Sequence, residues 1–599
     1  MTDQKPSPST EYGRNTNKAD VLIIGAGISG LMIAIEMIRK GNGRNFIIVE
    51  QGNQVGGTWN YQRYPGCCCV RFPNDFPDPQ AIIIIITIST PQDVWSHLYS
   101  LSFEPNPNWT REYPGQEEIL AYLIAIAHKY HLYAHIRFST SITSSRWDES
   151  SKTWSSKAER QGSKDSEFSK EYTITSSFLV SAVGQLNVPK YPDGIPGIDS
   201  FNGKAMHSAR WDWDFDLRDK KVGIIGSGAS AAQIIPEIAG VCKSLTVFQR
   251  TPNWVIPRCD VPISPSRQAL YKYVPWARRR YRAALMDFRE GFFDVVFETA
   301  SPVHGYMMGV SRAHMAAQLP GDEHAELRER LQPHYAVGCK RVIITDDYFP
   351  AFARENVNLE TGRIEGITEK GVRVEGKEYE FDVLVYATGF KSTQFMYPIQ
   401  IYGKGGKSIE DIWAGGASAY LGMTVPELPN FSMLYGPNTN LGHNSIILMI
   451  EAQAMYINTL ITQIQLAKQR GSSLSIQPKS QVVEDYNNEI QARLSQSAFA
   501  DPNCNSWYKN EAGLITNNWS DAVIPYQKRT SFIDWEDFDI EGTGKVEGEM
   551  KGKTSWKRVV EETQVSNTVI LAGMITSAVG AIAAGVLLRR GGLKTLLSH

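Results

Sequence analysis

Two stretches of this chain repeat one local pattern: an apolar run, a glycine turn, then a helix-forming run. The first is Val21-Leu22-Ile23-Ile24 followed by Gly25, Gly27 and Gly30; the second is Val222-Gly223-Ile224-Ile225 followed by Gly226, Gly228 and Ala231. In each, the first glycine allows a tight turn and the second lets backbone approach a pyrophosphate. The third small residue lets the helix pack on the strand. The helix N-terminus then presents its positive dipole end to the phosphates. One such motif is weak evidence; two in one chain predict two bound dinucleotides, and hence electron transfer from one to the other.

The residues closing each second strand tell the two sites apart. Phe46-Ile47-Ile48-Val49 ends in Glu50, a carboxylate suited to a ribose 2′-OH and repelled by a 2′-phosphate, so the first site suits FAD or NAD. Leu245-Thr246-Val247-Phe248-Gln249 leads instead to Arg250 and Thr251. A guanidinium there suits a 2′-phosphate, so the second site reads as NADPH and the first takes FAD. The alternative for Arg250 is a solvated surface charge. Further on, Phe381 to Tyr386 is an apolar strand that ends in Ala387-Thr388-Gly389. It is similar to the segment by which flavoproteins with two nucleotide folds return to the FAD domain.

Just before the second motif lie Phe201, Gly203, His207, Trp211 and Asp212, spaced FxGxxxHxxxWD. With GGTW at 56–59, RYPG at 63–66, QRTPNW at 249–254, GCKR at 338–341 and GPNTNLGHNS at 436–445, this string resembles the type I Baeyer–Villiger monooxygenases from about residue 19 to about 530. Within the family the likeness leans toward members of fungal polyketide pathways. The resemblance implies that NADPH reduces FAD and that an anionic oxygen nucleophile derived from O2 attacks a ketone. It assigns Arg341 as the fixed cation beside that anion, a charge that arginine holds at any working pH. It assigns Lys340 to the 2′-phosphate. Without the surrounding motif, Lys340-Arg341 would read as a solvated basic pair.

Carried over position by position, the resemblance places Thr58, Trp59, Asn60, Tyr61, Asp93, Val94 and Tyr99 in the FAD site with Gly25, Gly27, Gly30 and Glu50. It places Cys68, Cys69, Gly226, Ser227, Gly228, Ala229, Ser230, Ala231, Gln233, Arg250, Thr251 and Lys340 in the NADP site. Asp93 is the carboxylate expected to contact both flavin and Arg341. The fingerprint histidine lies on an interdomain linker in this family, so His207 is expected to act in conformation rather than proton transfer, with Trp211 in packing. No metal site is expected.

One segment interrupts the pattern. The family's flavin loop runs RYPG-x-x-Cys-Asp, but here Cys67-Cys68-Cys69 is followed by Val70, and the pattern resumes at Asp93-Val94-Trp95-Ser96-His97-Leu98-Tyr99-Ser100. The 23 intervening residues, 70–92, carry three prolines in VRFPNDFPDPQ and five consecutive isoleucines in AIIIIITIST. The isoleucine block has high β propensity and no charge, an aggregation hazard if exposed. Valine codons begin GT and Gln92 can be CAG, so the segment reads as a translated intron; the alternative is a genuine surface insertion. The adjacent cysteines lack the C-x-x-C spacing of a redox dithiol and read as loop residues near the cofactors.

The rest bounds the architecture. The net charge of −2 argues against a nucleic-acid partner. Seven cysteines without framework spacing suggest a reducing compartment. The expected class is α/β: two Rossmann-like dinucleotide-binding domains, for FAD and NADPH, with a helical insertion and a C-terminal transmembrane helix. The expected order is a tail at 1–18, FAD domain at 19–185, NADPH domain at 186–375 with the helical insertion at 262–335, and FAD domain again at 376–530. A linker at 531–567, a transmembrane anchor at 568–588 and a tail at 589–599 follow. The anchor is read from 21 residues without a charge, Thr568 to Leu588, flanked by Lys557-Arg558 and Arg589-Arg590. It would tether a cytosolic catalytic body to the endoplasmic reticulum or another organelle membrane. The competing reading of this segment is a buried or dimer-forming helix.

The expected partners are a small lipophilic ketone and O2. Two other functions stay open: an N- or S-oxygenating flavin monooxygenase, with less need of Arg341, and an inactive flavoprotein if 70–92 disrupts the flavin loop.

Overall fold

The computed structural model describes residues 14–67 apart from 44, and 94–564 apart from 163, 164, 166, 167, 259 and 546–549. Two sheets organise the chain, each starting from one glycine motif.

The first sheet has eight strands. At its centre Lys18–Ile24 lies parallel to Phe46–Val49 on one side and to Glu171–Ser181 on the other. Phe431–Met433 pairs parallel to the end of Glu171–Ser181, while Thr153–Arg160 and Thr140–Asp148 extend the sheet antiparallel. Where these strands pair, Val21–Ile24, Phe46–Val49 and Phe178–Val180 are apolar runs because both faces are covered. Val21, Ile23, Phe46, Ile48, Phe178 and Val180 face helices Ile28–Arg39 and Ile446–Gln469. Leu22, Ile24, Ile47, Val49 and Leu179 pack against Trp147, Trp154 and Phe431 on the other side.

The second sheet has five parallel strands, in the order Val357–Glu360, Ser244–Phe248, Lys221–Ile225, Val383–Tyr386, Lys204–His207. Helix Ala229–Ala239 covers one face; a three-stranded antiparallel sheet spanning 364–380 covers the other through Ile367, Val372 and Val374. Strand Val383–Tyr386 belongs to this second sheet, so the chain crosses back to the first domain only after Gly389. Between Ser244–Phe248 and Val357–Glu360 comes a helical run: Pro265–Tyr273, Pro275–Glu290, Phe293–Phe297, Pro302–Gln318 and Ala325–Leu331.

The two domains mirror each other at their glycine turns. Gly25 has φ +104°, and a Cβ there would sit 2.6 Å from the Ala182 carbonyl oxygen. Gly226 has φ +116°, and its Cβ would sit 2.4 Å from the Ala387 carbonyl oxygen. In both, a crossing strand lies against the turn so closely that only glycine fits.

The transmembrane part of the expected architecture, and the membrane-anchored localisation built on it, are corrected. Among the described residues no helix is long and apolar enough to cross a membrane, and 568–588 lies outside the described residues. The long apolar helix that does form, Ile446–Gln469, is a core element packed on Ile28–Arg39. Its buried Glu451 and Gln453 hydrogen-bond to Ser102 and Tyr526, so its apolarity serves the domain interior.

Two of the seven cysteines, read from their spacing as those of a reducing compartment, are paired. Cys339 and Cys504 form a disulfide, 6.4 Å apart at Cα and 165 residues apart in sequence. Both are buried in one cluster with Trp254, Val295 and Val337.

Candidate active site

A cavity of about 1730 Å³ runs between the two sheets and is lined by both glycine motifs. Helices Ile28–Arg39 and Ala229–Ala239 are each N-capped by a glycine, Gly27 and Gly228, without a capping side chain. Their first-turn N–H groups are therefore left for an anion such as a pyrophosphate.

At the first motif Glu50 sits buried at the end of its strand. Oε2 accepts from the Ala26 N–H at 2.8 Å, and Oε1 accepts from the Gly52 N–H at 2.7 Å and the Tyr61 hydroxyl at 3.1 Å. Burial pushes this carboxyl up, against the pull of those donors. Thr58, Trp59, Tyr61, Val94 and Tyr99 line the same end of the cavity. The Trp59 indole N–H donates to the Tyr99 hydroxyl at 3.1 Å. Gly30 and Asn60 do not line it: a Cβ on Gly30 would lie 1.9 Å from the Gly25 carbonyl, and Asn60 is buried beneath the loop. Their part is packing.

At the second motif Ser227, Gly228, Ala229, Ser230, Gln233, Arg250, Thr251 and Lys340 line the cavity, while Ala231 is buried in the core. Ser227 Oγ donates to the Thr251 carbonyl at 3.1 Å, and the Asn253 amide donates to the Ser227 carbonyl at 2.8 Å, which fixes the turn against the Arg250 strand end. Burial, then the like charge of Arg250, brings the Lys340 ammonium down to about 8. Two cations close enough to repel define a place for a polyanion.

Arg341 lines the same cavity, next in the chain to Lys340. Its charge acts on Tyr435, a half-buried phenol that lines the cavity, and on the buried phenol Tyr508. Burial raises Tyr435 well above its ordinary value with Arg341 pulling the other way, and burial pushes Tyr508 up to about 12 against the same cation. Both hydroxyls therefore stay neutral beside a permanent positive charge. Tyr435 adopts a left-handed backbone, φ +58°, a conformation that costs a non-glycine residue energy and tends to cluster at functional sites. It is held there by Gln185 Nε2, which donates to its carbonyl at 3.0 Å, and by its own hydroxyl, which donates to Asn440 Oδ1 at 2.7 Å.

Tyr435, Asn440, Leu441, Asn444 and Trp507 line the cavity but are absent from the expected site. The signal was in view, since GPNTNLGHNS at 436–445 is one of the quoted matches. Asp93, Cys68 and Cys69 lie outside the described residues. Their described neighbours Cys67 and Val94 both line the cavity.

None of Phe201, Gly203, His207, Trp211 and Asp212 lines the cavity. His207 ends the edge strand Lys204–His207, and its ring packs edge-on against Tyr191 and Phe390, which do line it. Its Nδ1 accepts from the Ala209 N–H at 3.1 Å, and burial lowers its pKa to about 4, so it is neutral. Beside it the two linkers between domains run together: Lys190 N–H donates to the Gly389 carbonyl at 2.8 Å and Lys391 N–H to the Val188 carbonyl at 3.0 Å. Trp211 packs on the second-domain core and Asp212 pairs with Lys204.

The comparisons with known proteins agree with this geometry. Residues 18–267 match the model of a family described as flavin-binding monooxygenase-like. The FAD-binding monooxygenase ktnD of Aspergillus niger is 44% identical over 577 residues, covering 96% of this chain and 91% of that protein. The chain belongs to the flavin-binding monooxygenase family. A Baeyer–Villiger monooxygenase of Streptomyces coelicolor is 35% identical over 87% of this chain and 92% of its own length. Among solved structures, OTEMO in complex with FAD and NADP superimposes with a TM-score of 0.71 at 26% identity, over 87% of this chain and 99% of that one. The resemblance read from the motifs is thus upheld. In this monooxygenase the cavity shared by the two glycine motifs also carries Arg341, a fixed cation able to stabilise an anion.

Proposed function

We propose that this chain is an FAD- and NADPH-dependent Baeyer–Villiger monooxygenase. It takes a ketone, O2, NADPH and a proton to an ester or lactone, NADP+ and water. The observation that carries the reading is Arg341, a permanent cation lining the one cavity that both glycine motifs share, with the neutral phenols of Tyr435 and Tyr508 within its field.

When bound, FAD supplies the two-electron chemistry that links NADPH to O2. The protein's own residues do the rest. Glu50 takes the ribose hydroxyls at the first end, and the N-terminus of Ile28–Arg39 takes the pyrophosphate. Arg250 and Lys340 take the 2′-phosphate at the second. Arg341 holds its charge where an anionic nucleophile and the anionic adduct with the ketone would form. Asp93 is assigned to orient Arg341 from the flavin side. Trp59, Tyr99, Tyr435, Leu441, Ile446, Ile450 and Trp507 give the region around it an apolar and aromatic wall, which suits a lipophilic ketone of the kind made in secondary metabolism.

The test is product identity with purified protein, NADPH, FAD and a panel of cyclic and aromatic ketones. One labelled oxygen from 18O2 should enter an ester or lactone, and Arg341→Ala should lower that product by about 10²- to 10³-fold while NADPH oxidation continues. An N- or S-oxide with no ester from any ketone, or unchanged ester formation in Arg341→Ala, would overturn the assignment.

A further inference from the structure

The turn that carries Tyr99 to the first end of the cavity is gripped from behind by elements remote in sequence. Arg282, fully buried on helix Pro275–Glu290, donates through Nη1 to the carbonyls of His97 at 2.5 Å and Ser100 at 2.9 Å. Its Nε and Nη2 donate to the two oxygens of Glu561, at 2.7 and 3.1 Å. Both side chains are 6% exposed. Glu561 comes from the C-terminal segment, which leaves strand Lys553–Ser555, crosses beside the long helix and reaches the helical insertion, where the Thr563 N–H donates to Asp287 at 3.0 Å. The same turn is held at its other end by the Ser102 N–H donating to Glu451 at 2.6 Å. The His97 ring is wedged between Tyr271 and Tyr281 of the insertion.

A guanidinium that bonds two carbonyls on one side and a bidentate carboxylate on the other is fixed in plane and position, which a lysine cannot reproduce. Glu561 is the carboxylate that pairs with it, and the Glu451 charge adds to the attraction. We infer that Arg282 and Glu561 are positioning residues for the His97–Ser100 turn, so that the C-terminal segment 553–564 sets the place of Tyr99 and Trp59 beside the cofactor bound at the first site. The inference rests on that site holding FAD.

The test compares three variants of the full-length protein. Glu561→Gln keeps the shape and removes the charge. Arg282→Lys keeps the charge and removes the fork. Thr563→Val removes only the hydroxyl bond to Asp287 and leaves the Arg282–Glu561 pair in place, so it reports general destabilisation. FAD affinity is measured by titrating the deflavinated protein and following flavin fluorescence; coupling is measured as H2O2 released per NADPH oxidised. Glu561→Gln and Arg282→Lys should each weaken FAD binding about tenfold, the loss expected when a hydrogen bond to a charged group is removed. They should raise the H2O2 share and leave the KM for NADPH unchanged. Thr563→Val, at a matched fall in melting temperature, should leave FAD affinity as in the parent. Parental FAD affinity and coupling in Glu561→Gln and Arg282→Lys would overturn the inference, as would equal FAD loss in Thr563→Val. A parent protein that binds no FAD at all would instead refute the functional reading beneath it.

Discussion

Lys340 offers a titration that reads the second nucleotide site directly. In the protein without NADPH its ammonium titrates near 8, well below the ordinary lysine value, because burial and then Arg250 disfavour the charged form. A 2′-phosphate dianion favours the charged form and raises the lysine's pKa in the complex. NADPH affinity is therefore full below pH 8 and falls as pH rises through it, roughly tenfold by pH 9, where about one lysine in eleven is protonated. The lower edge of the plateau is set by the phosphate, which takes up a proton near pH 6. NADH lacks the phosphate, so its weaker binding should be flat across this range. Stability follows the same linkage with opposite sense. The NADPH-free protein carries the cost of a charged Lys340 below pH 8 and sheds it as pH climbs, while the saturated protein does not. The assay is the dissociation constant of NADPH, by quenching of protein fluorescence, from pH 6.5 to 9.5 in the parent and in Lys340→Met. Binding in Lys340→Met should be weaker at pH 7 and lose the inflection near 8. A parental curve without that inflection, or the same inflection in Lys340→Met, would refute the placement of Lys340 at the phosphate.

Gly226→Ala should abolish NADPH binding while leaving FAD bound, because the added Cβ meets the Ala387 carbonyl at 2.4 Å and the backbone is left-handed there; separate titrations of the two nucleotides check it. Cys504→Ser should lower stability by about 5 kcal/mol, the chain entropy released when a loop of this length is no longer closed, measured by urea unfolding with and without reductant. Reductant should bring the parent to the same midpoint. Deleting 70–92 should give a yellow protein with stoichiometric FAD, since the deletion joins Cys69 directly to Asp93 in the flavin loop. Transcripts that all carry those codons, with no gain in flavin on deletion, would show the segment to be a genuine part of the enzyme.

What the sequence made legible was what backbone rules dictate locally. Gly25 and Gly226 are fixed by a left-handed turn pressed against a crossing strand, and Glu50 and Arg250 by their place one step past an apolar strand, so both nucleotide ends could be read from spacing alone. Arg341 was legible only through resemblance, because nothing in GCKR itself says that the segment will meet Tyr435 and Tyr508. Those two come from loops 94 and 167 residues further on and depend on tertiary contact. Tyr435 was missed for the same reason: its strained backbone is sustained by Gln185 and Asn440, and no local pattern encodes that. The C-terminal anchor failed on a different point. A long, mostly apolar helix can equally be a core element, as Ile446–Gln469, with Glu451 and Lys468 in it, demonstrates.

The position of His207 explains why a fingerprint so specific lies outside the cavity. One cavity lies between the two domains and is lined by both glycine motifs, so its shape depends on how the domains are held in register. The linkers that join them, 185–192 and 388–391, run side by side as an antiparallel pair, and His207 packs against Tyr191 and Phe390 on that pair. Elsewhere the domains are tied through Tyr64, whose hydroxyl donates to Gln233 at 2.8 Å, and through the Cys339–Cys504 bond beside Arg341. A buried neutral ring at the crossing suits a hinge: it fills the space between two moving strands without carrying a charge that motion would have to desolvate. A substitution such as His207→Ala should then change the KM for NADPH and the rate of product release together, while the flavin spectrum and the ester-to-peroxide ratio in a single turnover stay as in the parent. A changed single-turnover ratio would place His207 in the chemistry and remove it from the hinge.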